Sequence, residues 1–232
     1  MTIASIATYN IKRGLGMDGR LDLKRTARVL KALDADVICL QEVDVNRART
    51  LYSNQAKKLA DLLGMEYCFG AAINYSGGGA YGNAILSKYE ICSNLNHRLP
   101  GQGSKRAMQE VEVDMAGSII SIFNTHMELD MEQRLHQIES FIIPLIANCK
   151  GPAALCGDFN EKPDWPGMSV LSSHLQDSFK ANSGALNCTF PSDEPKARID
   201  YIFLNANCRV IDYSIVKALA SDHLPVLVTM EL

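Results

Sequence analysis

The sequence predicts an α/β fold in which two β-sheets pack face to face and helices cover their outer faces. Three features point there. Runs rich in β-branched residues alternate with runs whose apolar residues recur at helical spacing. Some strand-like runs are continuously apolar, as in strands buried on both faces, whereas others alternate apolar and charged residues, as in half-exposed antiparallel strands. Strand runs also far outnumber the long helices. A doubly wound Rossmann-like sheet is the alternative. Its GxGxxG fingerprint is absent, since Gly77–Gly79 have neither the spacing nor a following helix and suit a tight loop better.

Ile3 to Ile11 reads as the first strand. Asp22 then caps a helix with the apolar stripe Leu23, Thr26, Ala27, Leu30 and Leu33. Val37 to Leu40 is a short apolar run expected to be a doubly buried strand. A second helix carries Ala56, Leu59, Ala60 and Leu63, with Gly64 as its stop. The middle of the chain is strand-rich, with runs at Tyr67–Ala72, Gly82–Ser87, Ile91–Arg98, Met108–Met115 and Ser118–Asn124. A third helix spans Met131 to Ala147, and Pro144 is expected to kink it or end its regular part. Ala153–Cys156, Ile199–Leu204, Val210–Val216 and Pro225–Met230 complete the strands. No linker, charge block or repeat marks a boundary, so residues 1–232 are expected to form a single domain.

With 47% hydrophobic and 21% charged residues, the composition is that of an ordinary globular chain and not of a disordered or fibrous one. A net charge of −3 argues against broad neutralisation of nucleic-acid phosphates, so strong duplex-DNA binding is not expected. Arg13, Arg20, Lys24, Arg25, Arg28, Arg47 and Arg49 nevertheless give the first fifty residues a basic lean, read as solvated faces or as a local cationic rim. The seven cysteines form no CxxC pair, and Cys39 and Cys156 lie inside apolar runs. A disulfide framework and a thiolate metal site are therefore not expected. No signal-peptide pattern or membrane span is read from the sequence, and a cytoplasmic monomer is the expectation.

The polar residues are informative by position. Asn10 ends the first strand, and Glu42 follows the Val37–Leu40 run. Asn124 and His126 close the Ile119–Phe123 run, while Asp158 and Asn160 follow Leu155–Gly157. Asp200 sits just inside one late strand, and Ser221, Asp222 and His223 directly precede the last. Each alone suits a turn or cap. Together, at strand ends on one rim, they describe a site. Oxygen donors without thiolates are hard ligands suited to Mg²⁺, with Mn²⁺ as the alternative. Glu42 is the expected direct ligand, with Asn10 and Asp222 holding the metal or its waters. HExxH, GxSxG and Walker A patterns are absent, which disfavours zinc, serine-nucleophile and P-loop chemistries.

The segments ATYNIKRG, DVICLQEVD, YGNAILSKY, FNTHME, LCGDFNEKP, RIDYIF and SDHLPV, running from residue 7 to 226, resemble the successive motifs of the endonuclease/exonuclease/phosphatase superfamily. The resemblance implies a four-layer α/β sandwich of two mixed β-sheets flanked by helices, one or two divalent metals, and phosphoester hydrolysis. By position it implies that Asp158 orients or deprotonates the attacking water and that Asn160 holds the water or the phosphate. His126 and His223 would contact phosphate oxygens, Asp200 would orient His223, and Asp222 would assist the metal or water network. Asn83 and Asn124 are candidates for contacting the substrate, with a structural role for Asn83 as the open alternative. The abasic-site endonucleases of the superfamily carry an acidic residue two positions after the first-strand asparagine. Lys12 stands there in this chain, which argues against a second metal at that point. GMDGRLDL and GGGAYGNAILS resemble small, uncharacterised bacterial members. The expected substrate is a phosphorylated small molecule or single-stranded nucleic acid, with a nuclease or a non-catalytic phospho-ligand-binding module as alternatives.

Overall fold

Period-2 patterning decides which layer each strand residue meets. The computed structural model describes residues 2–179 and 187–232. In chain order its strands and helices are β1 (Ile3–Asn10), α1 (Leu23–Leu33), β2 (Val37–Arg47), β3 (Ser53–Asn54), α2 (Gln55–Leu63), β4 (Glu66–Asn74), β5 (Ala80–Ser87) and β6 (Ile91–Arg98). There follow β7 (Ala107–Met115), β8 (Ser118–His126), α3 (Met131–Gln137), α4 (Ile143–Ala147), β9 (Ala153–Asp158), α5 (Pro166–His174), β10 (Gln176–Asp177), β11 (Asp200–Leu204), β12 (Arg209–Ile215) and β13 (Val226–Glu231).

Among the described residues one sheet has seven strands, in the order β12-β13-β1-β2-β5-β4 with β3 beside β2, and the other has the six-strand order β10-β11-β9-β8-β7-β6. Both are mixed, because β1 runs parallel to β2 and β8 parallel to β9 while their other neighbours are antiparallel. Alternate residues build separate cores. Ile6, Val37, Cys39, Ile122, Cys156 and Ile202 pack between the sheets. Tyr9, Ile38 and Leu40 pack on the opposite face against Leu30 of α1 and Leu59 of α2. Phe123, Leu155 and Phe203 pack with Ile138, Ile142 and Leu171 on the outer face of the second sheet. Three apolar layers between four structural layers make the expected α/β sandwich.

The caps stand where the sequence places them. The Asp22 side chain accepts from Arg25 N, and Gly64 ends α2 with φ 66°. The third helix is continuous but irregular. A π-helical turn over Ile138–Ile142 separates α3 from α4, and Pro144 sits in the first turn of α4, where its missing N–H removes one rung of the ladder. The sequence reading missed α5, a weakly amphipathic helix that starts at Pro166. It also stopped the second strand at Leu40, whereas β2 continues to Arg47 through a bulge, its register to β5 shifting between Leu40 and Val43.

That bulge is held from the opposite sheet. Asn124 Nδ2 donates to Leu40 O at 3.0 Å and to Ala84 O at 2.9 Å, and Asn124 Oδ1 accepts from Gln41 Nε2 at 2.8 Å. Gln41 Nε2 also donates to Thr8 Oγ1, so one polar chain crosses the apolar layer. Asn124 is fully buried. Asn124→Ala therefore leaves buried polar groups without partners, and a loss of roughly 2–4 kcal/mol is expected. Urea unfolding of both proteins checks this; an unchanged midpoint would show that the clamp contributes nothing.

Candidate active site

Topology brings the anticipated residues to one edge. Parallel pairing puts the C-terminal end of β1 beside Gln41, at the bulge in β2, and the C-terminal ends of β8 and β9 together. Antiparallel β11 begins opposite the end of β9, with Asp200 paired to Asp158, and β13 begins beside the end of β1. The pleat then sets direction. Asn10 continues the Ala4–Ile6 face, Asp158 the Ala154–Cys156 face, and Asp200 the Ile202–Leu204 face, all directed between the sheets. The cluster is the polar mouth of the inter-sheet layer.

Asp158 lies at its centre. Its Oδ2 accepts from Asn10 Nδ2 at 2.9 Å and faces His126 Nε2 at 3.5 Å and His223 Nε2 at 3.6 Å. Its Oδ1 accepts from Asn160 N at 3.0 Å. His223 Nδ1 is 3.1 and 3.0 Å from the two Asp200 oxygens, which makes an Asp200–His223–Asp158 row. Arg198, two residues before Asp200, pairs with Asp177 at 2.8 Å. Ser221 Oγ donates to Asn10 O at 2.7 Å and accepts from His223 N at 3.4 Å, so one hydroxyl ties the first strand to the last loop.

Glu42 sits in the bulge with φ 56°, a conformation that a non-glycine residue adopts only when its surroundings enforce it. Glu42 Oε1 accepts from Asn10 Nδ2 at 3.4 Å, and Oε2 accepts from Arg13 Nη1 at 2.6 Å. Lys12 Nζ is 2.6 Å from Asp222 Oδ2.

Two donor sets could receive a divalent cation. Asp158, Asp200 and His223 present atoms within 4.8 Å of one another. That set is the less accessible one, because both ring nitrogens of buried His223 already face carboxylates, Nδ1 at Asp200 and Nε2 at Asp158. Glu42 and Asp222, with 19% and 21% of their side-chain surface exposed against 2% for Asp158, open onto solvent and offer hard oxygen donors. Asn10 stands between Glu42 and Asp158, within hydrogen-bond reach of both. The thiols of Cys39 and Cys156 lie in the inter-sheet core, out of contention.

Two anticipated substrate contacts have amide partners within the fold. Asn83 Nδ2 donates to Ala107 O at 3.0 Å and Asn124 O at 3.4 Å, and Asn124 spends its amide on the bulge; both are buried, so neither offers a free amide donor to the cleft. Asn160, with φ 51°, anchors its amide on Met127 O at 3.0 Å while its N–H fixes Asp158. Four of the seven basic residues behind the lean of the first fifty residues pair within that segment, through Arg13–Glu42, Arg25–Asp18, Arg28–Asp22 and Arg49–Asp44. Lys12 and Arg13 entered the sequence reading only as a departure from the motif and as part of that lean. Their position two and three residues after Asn10 is the signal the sequence offers.

The two histidines differ in charge, His223 being cationic and His126 neutral. Burial pushes His223 toward neutrality, but the carboxylates of Asp200 and Asp158 outweigh it and raise its pKa to about 10. For His126 burial dominates over Asp158, and Arg106 and His223 add to it, lowering the pKa to about 3. His223 thus contributes stability that is complete below the ordinary 6.5 and lost as pH rises through about 10. His126 contributes stability above 6.5 that is lost as pH falls toward about 3. In the metal-free protein, imidazole ¹⁵N resonances between pH 6 and 8 are expected to show a charged His223 and a neutral His126. Titration of both rings together near pH 6.5 would contradict the assignment.

Known proteins agree with this architecture. The Endonuclease/Exonuclease/phosphatase family model matches residues 7–223. The uncharacterised protein YbhP of Escherichia coli K12 is 26% identical over 215 residues, 86% of this chain and 83% of its own. An endonuclease/exonuclease/phosphatase from Bacteroides vulgatus superposes with a TM-score of 0.82 at 22% identity, covering all of both chains. A mannosyl-6-phosphatase from Bacteroides thetaiotaomicron gives 0.79 at 21% identity, over 99% of this chain and all of its own. Fold, ordered motifs and family match converge: the chain belongs to the Endonuclease/Exonuclease/phosphatase family.

Proposed function

We propose that this protein hydrolyses a phosphoester by metal-assisted in-line attack of water, with Glu42 as the principal Mg²⁺ or Mn²⁺ ligand and Asn10 and Asp222 beside it. The observation that carries the proposal is the convergence of Asn10, His126 and His223 on one oxygen of buried Asp158, next to the exposed carboxylates of Glu42 and Asp222. A bound divalent ion supplies charge neutralisation and polarisation of a phosphoryl oxygen. The protein's groups do the rest. Asp158, fixed by Asn10 Nδ2 and Asn160 N, orients a water and accepts its proton. His223, kept charged and oriented by Asp200, donates to a non-bridging oxygen as charge develops there. His126, buried and neutral, has one ring N–H to offer a phosphoryl oxygen and adds no second positive charge. Uncatalysed phosphoester hydrolysis is slow enough that accelerations on the order of 10¹⁷ or more are required. No single group supplies that, which accounts for the size of the cluster.

A phosphorylated small molecule is the favoured substrate, with single-stranded nucleic acid next. The chain carries a net charge of −3, and Arg25, Arg28 and Arg49 are locally paired, so no broad basic surface is available for a duplex. The structural likeness to a mannosyl-6-phosphatase is consistent with a compact phosphomonoester.

A panel of sugar phosphates, nucleotides, phospholipid headgroups and oligonucleotides, assayed with Mg²⁺, Mn²⁺ or chelator, is expected to give metal-dependent turnover of a compact member. Glu42→Gln should reduce kcat by on the order of 10³-fold. Metal-dependent binding with no turnover of any compound would replace the enzyme with a binding module.

Asp200→Asn and His223→Ala should each reduce turnover by roughly 10²–10³-fold, and their combination by far less than the product, because the two act as one unit. Strict multiplicativity in folded variants would separate them.

A further inference from the structure

Both carboxylates best placed to hold a divalent ion are paired with side chains from one short turn. Arg13 Nη1 meets Glu42 Oε2 and Lys12 Nζ meets Asp222 Oδ2, each at 2.6 Å. The turn does not reach this arrangement by relaxing. Lys12 and Arg13 have φ of 44° and 59°, two consecutive non-glycine residues in the left-handed region. Such residues persist only where neighbours over-determine them. Here Lys12 N donates to Asn10 Oδ1 at 3.0 Å, Gln55 Nε2 donates to Arg13 O at 2.6 Å, and Leu15 N donates to Lys12 O at 3.0 Å. Asn10, whose amide nitrogen holds Asp158 and reaches Glu42, is therefore also the residue whose oxygen fixes the turn. Gln55 ties it to the same strand as Glu42, since Gln55 Oε1 accepts from Asp44 N at 2.9 Å.

We propose that the Lys12–Arg13 turn is the site's built-in counter-ion, with Arg13 competing with the divalent cation for Glu42 and turning to the substrate's phosphate once displaced. Glu42, Asp222, Asp158 and Asp200 place four carboxylates in the cluster, and Lys12 and Arg13 are the permanent cations paired with two of them. Without its own cations the mouth of the fold would hold strongly repelling charge. With a divalent ion on Glu42, the Arg13 guanidinium becomes surplus positive charge at the cleft, and its planar fork suits a phosphate dianion. Its backbone stays pinned through Gln55 and Lys12, while its side chain, 25% exposed, is free to reorient. Metal loading and phosphate affinity are thereby coupled, and by linkage phosphate on Arg13 must favour metal on Glu42.

The inference rests on the metal assignment of the proposed function, and calorimetric titration of metal-stripped protein with Mn²⁺ alone separates the two. Wild type is expected to bind. Arg13→Gln, with its competitor removed, should bind Mn²⁺ tighter by at least about fivefold, the lower end of ordinary coupling between sites. Unchanged or weaker binding by folded Arg13→Gln, with wild-type binding intact, overturns the counter-ion role and leaves the metal assignment standing. No binding by wild type overturns both. Should Arg13→Gln fail to fold, Mg²⁺ titration of the ¹⁵N-labelled wild type decides: the Arg13 guanidinium signal moves as Mg²⁺ saturates, and a signal that stays in place overturns the proposal.

Discussion

A carboxylate buried where two β-sheets meet must be paired, and the pairing of Asp158 organises this protein. An unpaired charge at that depth costs several kcal/mol. Partners arrive from every direction: Asn10 from the facing sheet, His126 from the adjacent parallel strand, Asn160 N from its own loop, and His223 from the loop before β13. Each is itself fixed, His223 by Asp200 and both Asn10 and the His223 backbone by Ser221. The strand end that carries Asp158 lies close enough to β8 that a Cβ on Gly157 would fall 2.0 Å from Thr125 O, so only glycine permits the approach.

From this centre the site divides by charge. On the Asp200 side every negative group has a protein partner, and the imidazole between the two aspartates is held positive. On the Glu42 side the carboxylates are half-buried, and their partners are the partly exposed side chains of Lys12 and Arg13. The closed side is suited to holding fixed charge during a reaction, and the open side to exchanging one cation for another. The Asn124 clamp serves the open side from a distance, because it holds the bulge that turns Glu42 toward the mouth.

Much of this was legible in the sequence because it follows from periodicity. The alternation of β1, β8, β9 and β11 places Asn10, Asn124, His126, Asp158 and Asp200 in one layer, and the Asp22 and Gly64 caps are local chemistry. What escaped depends on partners remote in sequence. Nothing near Glu42 announces a bulge, since it is stabilised by Asn124 from the other sheet. Nothing near Asn124 marks it as a clamp and not a substrate contact. The basic lean around Arg25 and Arg49 is resolved only by seeing which carboxylates it meets, and α5 has too weak an apolar stripe to stand out. The order of the motifs is informative about the family for a related reason: each marks a strand end, and the strand ends share one rim.

The division of the cluster into an open cation side and a closed charge-paired side is the central claim. Anomalous diffraction from crystals soaked in Mn²⁺ tests it most directly. The peak is expected within about 2.5 Å of a Glu42 carboxylate oxygen, with the Asp200–His223 contact retained. A peak shared by Asp158, Asp200 and His223, with Glu42 still bound to Arg13, would contradict it.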